Sequence, residues 1–255
     1  MATSAEMPVL LPGETRDELH AGGVKIIQPR KGYRFSLDPL LLCAFAEIGS
    51  QVRVADLGTG SGIMPLLLAQ AGKGRTFVGI ELQAELADRA RRSVVLNGLE
   101  ERIRIICADV RELPAEFAAA SFDAVVSNPP YRKPATGRVA PDAERGAARH
   151  ELAGGLTDFL RSAVFLLHHG GRFSVIYLAE RLAELLDEMR TFRLEPKRLR
   201  TVHSRTGEPA KLALVEGRKN ARPGLTVEAP LIIYREGKGR DYTEEMEKIF
   251  GTRGE

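Results

Sequence analysis

The sequence contains few of the residues that form disulfide frameworks or metal centres. Only two cysteines occur among 255 residues, Cys43 and Cys107, and both lie in apolar runs. Two cysteines exclude a disulfide scaffold and a zinc ribbon, so we expect both to be core thiols in a reducing compartment. His150-Glu151 has no second histidine at helical spacing, which excludes a zinc-protease pair. We therefore expect no metal in this protein.

Membrane-spanning and secretory segments are also absent from the sequence. The longest apolar run, Leu40–Ala46, is far shorter than the roughly 20 residues that cross a bilayer. The first residues, "MATSAEMPVLLPGETRDELH", lack the basic start and apolar stretch of a signal peptide. We expect a cytoplasmic protein with no membrane partner.

A strong excess of either charge is missing as well. Lys and Arg total 37 against 34 Asp and Glu, which gives a net charge of only +3. Any affinity for nucleic acid must therefore come from local clusters of cations. The length suits one large domain, and we expect a main domain at residues 51–255 with residues 1–50 as an extension and cap helix packed on it.

From Gln51 onward, short apolar runs alternate with longer amphipathic segments. Runs such as "VRVADLG" and "TFVGIEL" predict strands, and segments such as "AELADRARRSVVLNG" predict helices. This alternation favours right-handed βαβ units around a parallel sheet. Near the C terminus, "RLRTVHS" and "AKLALVEGRKN" are strands joined by "RTGEP" with no helix between them. The fold class is therefore a doubly wound, mostly parallel α/β sheet with an antiparallel strand near the C terminus.

Two helices carry more specific predictions. "YRFSLDPLLLCAFAEIG" predicts a helix with Ser36 as N-cap, while Asp38 favours the positive end of the helix dipole and Pro39 lies in the first turn. "LTDFLRSAVFLLHHGG" predicts a helix that has His168 and His169 in its last turn.

Acidic residues and glycines follow the first three predicted strands of this sheet. The first strand ends "ADLGTGSG", with Asp56 before glycines at 58, 60 and 62, which let the backbone approach a ligand closely. Glu81 ends the second strand and could accept hydrogen bonds from a ribose diol, and Asp56 suits a cationic amino group. Asp109 follows the third strand, where it either meets an adenine amine or caps the next segment. The ligand indicated is a nucleoside with an amino acid tail.

These features resemble the class I S-adenosylmethionine-dependent methyltransferases over about Gln51 to Glu216. The resemblance implies a Rossmann-like, seven-stranded sheet and S-adenosylmethionine as cofactor. It places Asp56 through Gly60 around the methionine part of the cofactor, Glu81 at the ribose and Asp109 at the adenine. The further cofactor contacts that it implies are Leu82 and Val110 beside the adenine ring, Arg34, Phe35 and Ser36 over the cofactor, and Asn128.

The motif "NPPY", Asn128–Tyr131, follows the fourth strand and matches the amino-methyltransferase motif of that family. Two prolines fix the backbone rigidly and push Asn128 into an extended conformation. The Asn128 oxygen and the Pro129 carbonyl would accept hydrogen bonds from a conjugated amine and localise its lone pair toward the methyl carbon. Tyr131 offers a flat face to a planar substrate. We expect Asn128, Pro129, Pro130 and Tyr131 to form the catalytic site.

The substrate follows from a second, longer resemblance. "DELHAGGVKIIQPRKGYRFSLDPLLLCAFA", "ARHE" and "PLIIYREGKGRDYTEEMEKIF" resemble the bacterial tRNA adenine-N(6) methyltransferases that modify a valine tRNA. The expected partner is therefore tRNA or another structured RNA, methylated on an exocyclic base amine. A release-factor type protein glutamine methyltransferase, an rRNA guanine amino-methyltransferase and an RNA-binding module that retains the fold remain as alternatives.

Three clusters of cations could meet RNA phosphates. One follows the motif and contains Arg132, Lys133, Arg138, Arg145 and Arg149. The second is "PRKGYR", with Arg30, Lys31 and Arg34, and the third is "PKRLRTVHSR". Each cluster alone fits a solvated face as well as a binding surface.

Overall fold

The computed structural model describes residues 8–19, 23–31, 36–131, 154–237 and 239–251. Within these residues the chain forms a two-stranded antiparallel sheet and a nine-stranded mixed sheet. The strands are β1 Glu14–Leu19, β2 Val24–Pro29, β3 Arg53–Leu57, β4 Thr76–Glu81, β5 Ile103–Cys107, β6 Phe122–Ser127, β7 Leu167–Leu178, β8 Leu194–His203, β9 Ala210–Lys219, β10 Thr226–Val227 and β11 Leu231–Ile232. The helices are α1 Asp38–Phe45, α2 Ile63–Gln70, α3 Ala84–Leu96, α4 Leu156–Leu166, α5 Leu182–Thr191 and α6 Glu244–Phe250, and a 3₁₀ turn covers Ala179–Arg181.

The large sheet separates two apolar cores because alternate residues of its strands point to opposite faces. Val54 of β3 packs into the core that contains α1, α2 and α3, whereas the next residue, Ala55, packs into the core that contains α4 and α5. Strands buried on both faces read as continuous apolar runs, as β6 does. This is the doubly wound α/β architecture expected from the sequence.

The strand order is β5-β4-β3-β6-β7-β9-β8, with β10 and β11 both paired with β8. Strand β9 is antiparallel to its neighbours β7 and β8, and the other pairings of this sheet are parallel. Seven strands therefore match the expected sheet, including the antiparallel one, and two short strands extend it. The order reverses direction between β3 and β6, which is where ligands bind in sheets of this type.

Three local predictions were wrong. His168 and His169 lie in β7 rather than in a helix, because α4 ends at Leu166 and the strand begins there. Leu37, not Ser36, is the N-cap of α1, although the Ser36 hydroxyl accepts a 3.4 Å hydrogen bond from the Asp38 amide. Cys43 is buried as expected, but Cys107 is exposed because β5 is the edge strand of the sheet.

The hairpin formed by β1 and β2 packs on α3 through polar contacts. Glu14 is 4% exposed, and its carboxylate accepts hydrogen bonds from Arg89 Nε at 3.0 Å and from Arg92 Nη1 and Nη2, each at 2.7 Å. The Ile27 amide donates to Ser93 Oγ at 3.0 Å, and the Lys25 amide donates to Asn97 Oδ1 at 2.9 Å. The hairpin is thus attached to the helix that follows β4. The proposed division of the chain at residue 50 remains a prediction.

The Glu14 contacts predict an acid-sensitive attachment of the hairpin. Hydrogen bonds from Arg92 lower the Glu14 pKa from 4.5 to about 2. The stabilisation is therefore complete above pH 4.5, its unfolded value, and is lost as the pH falls toward 2. Glu14→Gln should lower the free energy of unfolding by about 2 kcal/mol at pH 7, and by much less near pH 3. Urea unfolding at both pH values measures this difference.

Glu85→Gln is the matched control because Glu85 also pairs with Arg89, but at a longer distance of 3.9 Å and with a side chain that is 81% exposed. Its effect on stability should be within about 0.5 kcal/mol. An equal loss for both variants would contradict a specific role of Glu14.

Candidate active site at the carboxyl edge of the sheet

The register of the central strands brings the predicted site residues to one edge of the sheet. Leu57 at the end of β3 pairs with Ile80 of β4 on one side and with Ser127 of β6 on the other. Glu81 pairs with Cys107 of β5. The residues that follow these strands therefore lie in a row along the edge, in the order Asp109, Glu81, Gly58 and Asn128.

The turn after β3 has the backbone shape that its glycines allow. Gly58, Gly60 and Gly62 have φ angles of +73°, +58° and +79°, which side chains rarely adopt. A Cβ at Gly58 would lie 3.1 Å from the Phe159 ring, whereas a Cβ at Gly60 would meet nothing within 4 Å. Gly58 thus serves packing as well as the turn, and Gly60 borders open space beside the strand ends.

Asp56 is the most deeply buried acid of the site, at 1% exposure. Its Oδ2 accepts a 2.6 Å hydrogen bond from the Thr59 hydroxyl, and its Oδ1 has no hydrogen-bond partner among the described residues. Burial raises the Asp56 pKa from 3.8 to about 7, against the Thr59 hydrogen bond and with help from the charge of Glu81. A buried oxygen without a donor indicates a ligand that brings a donor or a positive charge.

Glu81 is the last residue of β4, is 6% exposed and stabilises the glycine turn. One oxygen accepts from the Gly60 amide at 2.9 Å and the other from the Gln83 amide at 2.8 Å. Burial raises the Glu81 pKa, while these two hydrogen bonds oppose the rise. Each carboxylate oxygen retains a lone pair, so the pair of oxygens can still accept from two adjacent hydroxyls.

Asp109 lies farther along the edge and is held by Arg111. Its carboxylate accepts from the Arg111 amide at 2.8 Å and from Arg111 Nη2 at 2.6 Å, and the Arg111 hydrogen bonds hold the Asp109 pKa below its usual value. Val110 is buried at 4% exposure, and Leu82 is half-buried. Both alternatives for Asp109, a cap and a ligand contact, are compatible with this geometry because the carboxylate keeps further lone pairs.

The motif Asn128–Tyr131 stands directly beside the glycine turn. The Ser127 hydroxyl donates to the Leu57 carbonyl at 2.9 Å, which joins the two strands at the residue before each loop. Pro129 is buried, while Asn128 and Tyr131 are half-buried. The Tyr131 hydroxyl contacts Asn128 Oδ1 and lies 3.0 Å from Asp38 Oδ2.

Two residues that contact the motif were not among the predicted site residues. Asp38, in the first turn of α1, reaches the Tyr131 hydroxyl, and Arg181 donates to the Tyr131 carbonyl at 2.7 Å. Arg181 also forms a two-point ion pair with Glu184 and lies 4.9 Å from the centre of the Tyr177 ring. Arg181 follows the carboxyl end of β7, so the position rule that selected Asp56, Glu81 and Asp109 would have found it. Asp38 had no such signal, because an acid in a first helical turn is commonplace.

Some predicted contacts lie outside the described residues. Arg34 and Phe35 are among them, as are Arg132, Lys133, Arg138, Arg145 and Arg149 of the first cation cluster. Ser36 is exposed and lies just before α1. In the third cluster, Arg198 pairs with Glu228 at 2.6 Å and Arg200 with Glu245 at 2.7 Å. These two arginines are 21% and 19% exposed and pair with acids of the same chain, a structural role that neither the solvated face nor the binding surface describes.

Comparisons with known proteins find similar methyltransferases in sequence and in fold. A family described as "Methyltransferase domain" matches residues 54–141. A tRNA1(Val) (adenine(37)-N6)-methyltransferase of Phocaeicola vulgatus is 29% identical, over 83% of this chain and 89% of the relative. The Porphyromonas gingivalis protein of the same name is 34% identical over 64% of each chain. The crystal structure of a protein from Agrobacterium tumefaciens, named a predicted O-methyltransferase, superposes with a TM-score of 0.67 at 26% identity, over 84% of this chain and 96% of that one.

The fold, the site and these comparisons define a class I S-adenosylmethionine-dependent methyltransferase, and S-adenosylmethionine is its cofactor. Within that class, the chain resembles the tRNA1(Val) (adenine(37)-N6)-methyltransferases. None of the helices that the structure describes has the length and apolar character needed to cross a membrane. In the same residues, no group of three or more His, Cys, Asp and Glu side chains is arranged to hold a metal ion.

The residues at the edge fit S-adenosylmethionine in their chemistry. The unpartnered Asp56 oxygen suits the amino group of the methionine part, and the open space at Gly60 admits a ligand close to the backbone. Glu81 can accept from the ribose hydroxyls, and Asp109 lies next along the row. The assignment of each residue to a part of the cofactor remains a prediction.

Cofactor binding should release a proton if the amino group meets Asp56. Asp56 has a pKa of about 7 and is mostly protonated at pH 6. A bound ammonium group lowers that pKa and expels the proton. We expect about 0.5–1 proton released per cofactor at pH 6, measured by calorimetry in buffers of different ionisation enthalpy. Affinity should therefore rise as the pH increases from 5 toward 7.

Asp56→Asn should bind more weakly and release no proton at pH 6. Asp109→Asn is the control, because the pKa of Asp109 is already low and its charge does not change on binding. Equal proton release by the wild type and Asp56→Asn would place the cofactor's amino group elsewhere.

Proposed function

We propose that this enzyme transfers the methyl group of S-adenosylmethionine to N6 of an adenine in tRNA. The observation that carries the proposal is the position of Asn128–Tyr131, which follows β6 and lies beside the glycine turn of β3 at the point where the strand order reverses. A substrate amine held by this motif meets a cofactor held by the neighbouring turn. The relatives named tRNA1(Val) (adenine(37)-N6)-methyltransferase support the choice of RNA and of adenine.

The motif compensates for the weak nucleophilicity of a conjugated amine. When bound, the cofactor supplies an electrophilic methyl group on its sulfonium. The nitrogen of adenine N6 is a weak nucleophile because its lone pair is delocalised into the ring. The Asn128 amide oxygen and the Pro129 carbonyl accept hydrogen bonds from the two N–H groups of the adenine amine. The prolines hold both acceptors in place. Positioning and preorganised polar groups thus raise the reactivity of the nitrogen.

A general base is not needed before methyl transfer in this scheme. The nitrogen becomes acidic only when the methyl group has arrived, and water can then accept the proton. The described residues that contact the motif include one carboxylate, Asp38, and one guanidinium, that of Arg181, and this scheme uses neither as a base.

The substrate must be unstacked to reach the edge of the sheet. A base inside a helix cannot enter a crevice between strand ends, so the target adenine is single-stranded or flipped out. Tyr131 is the aromatic side chain of the motif, and its ring lies edge-on to Tyr177 with 5.6 Å between ring centres. The tRNA substrate would place the enzyme in the cytoplasm, as the sequence predicts.

Protein glutamine and rRNA guanine remain rival substrates because the motif serves their amines as well. The relatives named as tRNA methyltransferases favour RNA over a protein substrate. The RNA-binding module without turnover is disfavoured by the intact turn and motif.

Removal of the Asn128 amide should damage the chemical step specifically. Asn128→Ala should lower the single-turnover rate of tRNA methylation by about 10²–10³-fold, as expected for the loss of one preorganised polar partner. Cofactor affinity should change little. The measurement is methyl transfer from labelled S-adenosylmethionine to unmodified tRNA, with the product nucleoside identified by mass spectrometry.

Gln51→Ala is the control for an amide-to-alanine change, since Gln51 is exposed just before β3, at the opposite edge of the sheet. A normal rate in Asn128→Ala would refute the mechanism. Methylated guanine, or methylated glutamine in a protein, would refute the substrate.

RNA binding should depend on cations near the motif. Replacement of Arg132 and Lys133 by Gln should flatten the slope of log affinity against log salt by about 1.5, if each cation meets one phosphate. Filter binding of tRNA between low and moderate salt measures this slope. The control replaces Arg53 and Arg75, two exposed cations at the amino ends of β3 and β4. Identical slopes for both double variants would show that binding does not use the cations after the motif.

A further inference from the structure

Tyr131 is held both at its backbone and at its side-chain hydroxyl. Its backbone carbonyl accepts from Arg181, and its ring packs edge-on against Tyr177 at an interplanar angle of 79°. At the other end, its hydroxyl lies between two oxygens, Asp38 Oδ2 at 3.0 Å and Asn128 Oδ1. The hydroxyl therefore joins the first turn of α1 to the amide of the motif, across 93 residues of sequence.

One hydroxyl cannot donate to both of these oxygens. It carries a single proton, and a carboxylate is a stronger acceptor than a neutral amide oxygen. The proton therefore points to Asp38. The lone pairs of the Tyr131 oxygen then face Asn128, where an amide oxygen would repel them and an amide N–H would be attracted.

The Asn128 amide can present an N–H to the Tyr131 oxygen by rotating. Its oxygen and its NH₂ group exchange places on rotation about the last side-chain bond, with little change in shape. In the turned orientation, Asn128 Nδ2 donates to the Tyr131 oxygen, and the Tyr131 hydroxyl donates to Asp38. One Asn128 amide proton and the Tyr131 hydroxyl proton then each have an acceptor, and each bond polarises the next.

We propose that Asp38 is a positioning residue that sets the orientation of the Asn128 amide through the Tyr131 hydroxyl. With the proton of Tyr131 on Asp38, the Asn128 oxygen is released from the hydroxyl and is available to the target amine. With no acceptor at residue 38, the hydroxyl donates to Asn128 Oδ1 and competes with the substrate for it. This inference rests on the proposed function, in which that oxygen accepts an N–H of adenine.

The consequence is a role for the segment before the catalytic domain. Helix α1 contributes a group that acts on the reaction through two intervening side chains, without touching the substrate. A carboxylate in this place differs from one that merely favours the start of the helix, because its effect requires the Tyr131 hydroxyl.

The kinetic test compares Asp38→Ala and Asp38→Asn, each with and without Tyr131→Phe. Asp38→Ala should lower kcat for tRNA methylation about tenfold, with KM and cofactor affinity nearly unchanged. Asp38→Asn keeps an acceptor oxygen and should retain part of the lost rate. In the Tyr131→Phe background, whose own rate is the reference for this comparison, Asp38→Ala should have no further effect.

Asp187→Asn is the control for loss of a carboxylate, because Asp187 is exposed on α5. If Asp38 acts only at the helix terminus, Asp38→Ala and Asp38→Asn lose the same charge and should be equally impaired, with or without the Tyr131 hydroxyl. Equal impairment, or an unchanged kcat in Asp38→Ala, would overturn the proposal.

A second measurement needs no substrate. The side-chain NH₂ resonance of Asn128, identified by its disappearance in Asn128→Asp, should show one hydrogen-bonded, slowly exchanging proton in the wild type. That protection should be lost in Tyr131→Phe and Asp38→Ala. Protection that persists in both variants would overturn the proposal even if Asp38→Ala proved too unstable for kinetics.

These results separate the two levels of inference. If wild-type enzyme methylates no adenine but the NH₂ protection follows Asp38 and Tyr131, the hydrogen-bonded chain stands and the proposed substrate fails. If the enzyme methylates adenine and the protection does not follow them, the substrate stands and the role of Asp38 fails.

Discussion

The pairing of β3 with β6 is the constraint on which the site depends. These strands are distant in sequence, yet Leu57 lies opposite Ser127, and the Ser127 hydroxyl donates to the Leu57 carbonyl. A shift of one residue would turn the side chains of β6 to the opposite core. Because both faces of the sheet are buried in different apolar clusters, such a shift is costly. The register that packs the two cores therefore also aligns the glycine turn with the motif.

The two halves of the site are built differently. The half proposed to bind the cofactor uses consecutive βα units, so its acids, from Asp56 to Asp109, follow one another along neighbouring strands. The half proposed to hold the substrate combines distant segments, namely the start of α1, the motif after β6 and the residues after β7. Asp56 and Glu81 of the first half are buried, whereas the second half is held by hydrogen bonds to side chains. Such bonds leave it sensitive to single substitutions.

The sequence was sufficient for the elements of the sheet and for the residues at strand ends. Strands such as β6 can be recognised in the sequence as continuous apolar runs, because burial on both faces removes the alternation of polar and apolar residues. Glycines mark backbone angles that other residues avoid. The hairpin β1–β2 was not predicted, since the residues that attach it, such as Glu14, look like ordinary surface charges. The end of α4 was misplaced because His168 and His169 continue an apolar helical pattern without any helix-breaking residue. Asp38 was missed since its contact arises only from tertiary packing, whereas Arg181 follows a strand end and could have been found by its position.

Strand β9 is the last long strand of the chain, yet it lies inside the sheet, between β7 and β8. A growing chain that ends before Ala210 therefore presents β7 as a bare edge and leaves β8 with no place in the sheet. Exposed strand edges pair with other chains, so this interval of synthesis carries a risk of aggregation. The hairpin of β8 and β9 must dock as one unit, late and over a long sequence separation. Such contacts slow folding, which makes the docking of this hairpin the step that commits the enzyme to its native state.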